Sequence, residues 1–205
     1  MRHWIVTRRM FGLAIGMVIC LGGGLAGLAA PPRGAFYPLE VGDKWTYVAG
    51  PYELVEEVTQ IDVVDGEKCA RVETSMNGKR VAYEHLAARP DGIYRVSIAG
   101  ERVVPPLCFL KYSEGTSMHW TVSSRVSDQE ITGEFASEAS RVKVPAGEYQ
   151  TLTVHGTKFE SAAGPLELTY YFAPGVGKVK QVISSSGKSA QLELKSYQPA
   201  PKPGF

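Results

Sequence analysis

The stretch YYFAPGVGKVKQV, residues 170–182, decides how this chain is read. An apolar run stops at Pro174, passes Gly175 and Gly177, and resumes as a second run. A glycine pair so placed either cradles a phosphate or turns one strand into the next. A phosphate loop has to open a helix, whose first amides then meet the anion. Here KVKQVISSSG follows, rich in β-branched residues and ending in a further turn signal. It continues as a strand, and the glycines are corners between strands.

The same pattern spreads outward in both directions. In QEITGEFASEA (129–139), Ile131, Gly133, Phe135 and Ser137 alternate with Glu130, Thr132, Glu134 and Glu138, giving one dry and one wet face. PLELTYYF (165–172) places Leu166, Leu168, Tyr170 and Phe172 together, YQTLTVHGTKF (149–159) turns Leu152 and Val154 inward, and QLELKSY (191–197) does so with Leu192 and Leu194. Nearer the start, Trp45 and Tyr47 share a face of DKWTYVAG (43–50). Asp65-Gly66 and Asn77-Gly78 then punctuate alternating runs as two-residue hairpin turns. In ERVVPPLCFLKYSEGTSM (101–118), Pro105-Pro106 excludes a central strand. Residues 103–113 are expected to be a connection over one mouth or edge, with a short helical turn. The fold expected is mainly β: about ten antiparallel strands in a curved meander, as a half-barrel or a barrel-like sandwich. Residues 36–197 form this domain, 30–35 a linker, and 198–205, with three prolines, a disordered tail.

Residues 1–29 are a separate matter. A basic head, an apolar centre and the small-residue end around Gly27-Leu28-Ala29 make the three-part plan of a secretory signal helix. Retained, the same segment is a membrane anchor and the only part in contact with a membrane. Thr7, Arg8, Arg9 and Phe11 match a twin-arginine signal in part, so export by that route or the ordinary one delivers the chain to the periplasm or the exterior. Lipidation at Cys20 is disfavoured because Ile19, not a small residue, precedes it.

Cleavage removes Arg2, Arg8 and Arg9 from 22 basic residues and nothing from the 21 acidic ones. The slightly negative mature chain has no basic cluster, which argues against nucleic acid as a partner. Cys69 and Cys108 remain. An oxidising compartment permits a disulfide between them; two separate thiols are equally compatible with the sequence.

No catalytic motif stands out. The chain has no G-x-S-x-G elbow, and SSSG (184–187) reads as a turn. Glu130, Glu134 and Glu138 repeat as a solvated strand face rather than as a paired-carboxylate site. Cys69, His85, Cys108 and His119 lack the close-spaced pairs of a metal centre, so neither metal nor cofactor is expected, and the chain reads as non-enzymatic. What is abundant is aromatic surface. Trp45, Tyr47, Tyr83, Trp120, Phe135, Tyr170 and Phe172 are the candidate ligand-contacting set. An open or closed sheet has to cover their face with its own packing or with a ligand.

YPLEVGDKWTY (37–47), VPAGEYQTLTV (144–154) and YYFAPGVGKVKQV together resemble the TapB-like exported bacterial proteins of unknown function. That resemblance spans roughly residues 36–197 and implies similarity in architecture to the periplasmic lipoprotein carriers of the LolA/LolB type. It implies a half-barrel and an apolar ligand such as a lipid acyl chain, and transfers no functional residue. The expected function is an exported, non-enzymatic β-domain that binds an apolar ligand at the cell envelope. The alternative is a structural or interaction module contacting an envelope protein, and an unrecognised hydrolase ranks third.

Overall fold

The computed structural model describes residues 36–112, 117–161 and 164–202; the signal segment and the 30–35 linker lie outside them. Twelve strands follow one another: β1 (Lys44–Ala49), β2 (Tyr52–Val64), β3 (Glu67–Met76), β4 (Lys79–Arg89), β5 (Gly92–Ile98), β6 (Glu101–Lys111), β7 (Ser117–Val126), β8 (Gln129–Val144), β9 (Gly147–Ser161), β10 (Gly164–Ala173), β11 (Gly177–Ser185) and β12 (Lys188–Gln198). Each pairs antiparallel with its sequence neighbour, and β1 also pairs with β12, so the sheet closes into a barrel. Of the shapes left open above, this is the closed one, with no helix among the described residues.

The hairpin signals act as read. Asp65 and Gly66 have φ of 51° and 81°, and Asn77 and Gly78 have 53° and 72°, the paired positive values of a tight turn that matches strand twist. At the corner between β10 and β11, Gly177 has φ of 97°, and a Cβ there would lie 2.7 Å from the Tyr37 ring. Only glycine permits both the conformation and the contact.

Two expectations need correction. Residues 103–113 are not a covering connection with a helical turn. Most of them belong to β6, one of the strands beyond the expected ten. The strand tolerates Pro105 and Pro106 because pairing lapses around them. The β5 ladder jumps from Arg95↔Leu107 to Ser97↔Arg102, and β7 meets β6 only at Val103↔Val126 and Val104↔Arg125. A missing N–H therefore costs no ladder bond. The tail also begins as part of the fold, since the Ala200 amide donates to Asp43 Oδ1 at 2.9 Å.

The outer face carries charged pairs. Lys44–Glu57, Lys158–Glu134 and Lys180–Glu193 pair across strands on it at 2.7, 2.8 and 2.8 Å, where a lipid-facing barrel carries an apolar band. Most buried apolar side chains point into the lumen. Tyr37, Trp45, Tyr47, Phe109, Phe135, Phe159, Tyr170 and Phe172 are buried there. A twelve-stranded barrel is wide, and rings of this size are what fill it.

The end at which the chain enters and leaves is plugged. Tyr37 packs on Trp45 and Phe172 with ring centroids 5.4 and 5.6 Å apart, and Trp45 stacks on Tyr197 at 5.5 Å. Asp43, 2% exposed, ties this end together. Its carboxylate accepts from the Glu40 amide at 2.8 Å, the Tyr197 hydroxyl at 2.8 Å and the Ala200 amide at 2.9 Å. Asp43→Ala leaves three donors without their acceptor, and a loss of about 3 kcal/mol is expected in urea unfolding. A loss below about 0.5 kcal/mol, the range of an ordinary surface substitution, would show that the clasp is dispensable.

Candidate lumenal binding site

Alternation places most charged residues outside, and the exceptions define the interior. On β2, Glu56 shares the inward face with Leu54 and Val58; on β11, Lys178 pairs across from Phe172. The two meet across the lumen, with Lys178 Nζ donating to Glu56 Oε1 at 2.8 Å and to Gln181 Oε1 at 3.1 Å. Their side chains are each 9% exposed. Glu56 Oε2 is buried and finds no donor among the described residues. Tyr47 caps the pair, its hydroxyl donating to the Lys178 carbonyl at 2.9 Å. Burial first, and the Glu56 charge second, hold the phenols of Tyr47 and Tyr37 well above their ordinary pKa.

A second inward ion pair joins β4 to β5. Arg95 Nε donates to Glu84 Oε2 at 2.5 Å, and the guanidinium carbon lies 4.9 Å from the Phe109 ring centre. Burial works against the Arg95 charge, but Glu84 and Tyr170 outweigh it and its pKa is raised. Arg95 and Tyr170 form the polar part of a lumenal cavity of about 150 Å³. Its remaining wall is apolar: Ile98, Val103, Leu107, Ile131, Phe135, Phe159, Leu166 and Leu168. Ile98 and Leu166 adjoin turns at the barrel end remote from the plug, so the cavity occupies the half that the plug does not fill.

The candidate aromatic set divides. Phe135 and Tyr170 line the cavity. Trp45, Tyr47 and Phe172 are fully buried packing at or near the plug. Trp120 is half-buried beside the sparse β6–β7 pairing, where its indole donates to the Cys108 carbonyl at 2.9 Å across the gap. Tyr83 lies on the outer face, beneath the Arg71 guanidinium at 4.2 Å. Ile131, Leu166 and Leu168 were legible as inward residues. Arg95 was missed, and its signal was a charge on the inward face of IYRVSIAG.

Cys69 and Cys108 stand as free, buried thiols on β3 and β6. Cys69 faces outward into a small cluster with Ala87 and Val96; Cys108 is held by the Leu110 carbonyl. Burial pushes both up, Cys108 to about 11.

One outer-face cluster has hydrolase-like composition. His85 Nδ1 is 2.6 Å from Ser97 Oγ, and His85 Nε2 is 2.9 Å from Asp62 Oδ2. Ser97 is 2% exposed, and none of the three lines the cavity. A nucleophile must reach its substrate, and this one is covered, so the three residues bridge β2, β4 and β5 as a clasp. Among the described residues no group of three or more His, Cys, Asp and Glu is placed to hold a metal.

Lys178→Met strands the buried Glu56 charge, and a loss of about 3–5 kcal/mol in urea unfolding is expected, most of it recovered in Lys178→Met/Glu56→Leu. A loss confined to the surface-pair range would place the pair in water. For the cysteines, Ellman's reagent at pH 8 should titrate neither thiol of the native protein and both after denaturation. Reaction only after denaturation plus reduction would instead reveal a disulfide.

No protein-family model and no curated protein matches the chain, so no family model supports the TapB-like resemblance. Two solved structures share part of its shape. One is a candidate lipoprotein from Parabacteroides distasonis ATCC 8503, 10% identical, with a TM-score of 0.44 over 80% of this chain and 98% of that one. The other is a candidate exported protein with a YmcC-like fold from Bacteroides fragilis NCTC 9343, 12% identical, with a TM-score of 0.43 over 80% and 99%. Likeness at this level assigns neither a family nor a function.

Proposed function

We propose that the chain is an exported, non-enzymatic β-barrel domain of the cell envelope that binds a small apolar ligand inside its lumen. Export rests on the three-part segment at residues 1–29, and the charged outer face suits an aqueous compartment. The observation that carries the binding reading is the cavity of about 150 Å³, walled by eight apolar side chains with Arg95 and Tyr170 among them. A mostly apolar concavity with few polar groups is the usual form of a small-molecule site. Its size sets the ligand. Ordinary pockets run to roughly 300–1,000 Å³, whereas an apolar cavity of about 150 Å³ takes benzene or xenon. We take a single ring, rather than the lipid acyl chain of the carriers, as the ligand that matches this volume.

Benzene is the direct probe. Near saturation in water it should raise the midpoint of thermal unfolding by about 2–4 °C, the shift expected from about 1 kcal/mol of linkage in a domain of this size. Ile131→Phe, which fills the cavity, should abolish the shift while the variant still unfolds cooperatively. No shift in the unmodified protein would overturn the binding reading.

A further inference from the structure

We propose that the lumenal cavity selects a neutral, ring-sized apolar molecule bearing one hydrogen-bond acceptor of the carbonyl type, held at that acceptor by the Arg95 guanidinium. This rests on the reading of the cavity as a ligand site and names what the site prefers. Three observations carry it. First, Arg95 is the one charged group in the cavity wall among the described residues, set among eight apolar side chains. Its hydrogen bond to Glu84 leaves through Nε. A second side-chain hydrogen bond goes to Tyr170, and a planar fork with five N–H donors keeps further N–H groups beyond these two. The flanking Tyr170 ring belongs to the same wall.

Second, the local charge is already balanced. Glu84 neutralises Arg95, as Glu56 neutralises Lys178 elsewhere in the lumen. An anionic ligand would bring a second carboxylate beside Glu84 and lose much of its hydration between apolar walls. That penalty is several kcal/mol for an ion without a partner of its own. A cation would face the guanidinium directly. A neutral acceptor meets neither cost and still receives a charge-assisted hydrogen bond. Third, the volume of about 150 Å³ admits one ring with a short substituent and little more.

The test compares cyclohexanone, toluene and benzoate by calorimetric or NMR titration against the unmodified protein, Arg95→Met and Arg95→Lys. Arg95→Lys keeps a partner for Glu84, so the comparison survives if Arg95→Met folds poorly. Cyclohexanone affinity should fall about tenfold in both variants, the loss of one charge-assisted hydrogen bond, while toluene affinity stays within about twofold. Benzoate should bind the unmodified protein more weakly than cyclohexanone. If toluene binds and the variants leave cyclohexanone unchanged, the cavity is a ligand site and the role of Arg95 is wrong. If benzoate binds most tightly, neutrality is wrong. If none of the three binds at millimolar concentration, the ligand reading fails and this inference fails with it.

Discussion

Everything in this barrel depends on holding its first strand against its last. A meander of hairpins is locally specified, but an open twelve-stranded sheet would leave two raw edges and a wide apolar face. Closure removes the edges and encloses the face. The Asp43 carboxylate makes closure specific: it stands one residue before β1 and accepts from Tyr197 near the end of β12 and from Ala200 beyond it. Trp45 then stacks on Tyr197 and donates its indole N–H to the Val176 carbonyl at 2.6 Å. One short segment thus ties together the entry of the chain, its exit and the corner between β10 and β11.

Closing so many strands creates a second problem, a lumen too wide for aliphatic side chains alone. Two devices fill it. Large rings fill the plugged half and reach into the other, and inward ion pairs span the middle. Glycines opposite rings adjust the fit: a Cβ at Gly156 would lie 2.6 Å from the Phe135 ring, and one at Gly133 2.5 Å from Phe159. The filling runs out in the other half, where branched aliphatics and three rings surround Arg95. The cavity is thus a consequence of the strand number together with a plug inserted from one end only.

Much of this was legible in the sequence. Period-two alternation identified most strands and their inward residues, as in Ile131, Gly133, Phe135 and Ser137, and the Asp-Gly and Asn-Gly pairs located hairpins. Closure was not legible, because the pairing of Trp45 with Tyr197 has no local signature. β6 was hidden by Pro105 and Pro106, whose meaning depends on whether partners on either side seek their amides. The polar lumen was hidden too. Arg95, Glu56 and Lys178 occupy inward positions that alternation reserves for apolar residues, and a single chain offers no sign that such exceptions pair with one another. The aromatic residues were correctly seen to exceed what a thin sheet needs. Most of that surplus serves packing.

The β1–β12 ladder also sets the order in which the protein can be made. On its β12 side Lys44 is paired with Gln198, so that ladder cannot form until nearly the whole chain has been synthesised. Loop closure of that length comes late and slowly in folding. Until then the growing sheet carries β1 as an unsatisfied edge, the kind of surface on which nascent chains aggregate. A chain threaded through a membrane in the extended state would complete its fold only after release on the far side. A chain exported already folded would have to be closed before transit. The β1–β12 ladder therefore ties completion of the fold to completion of the chain.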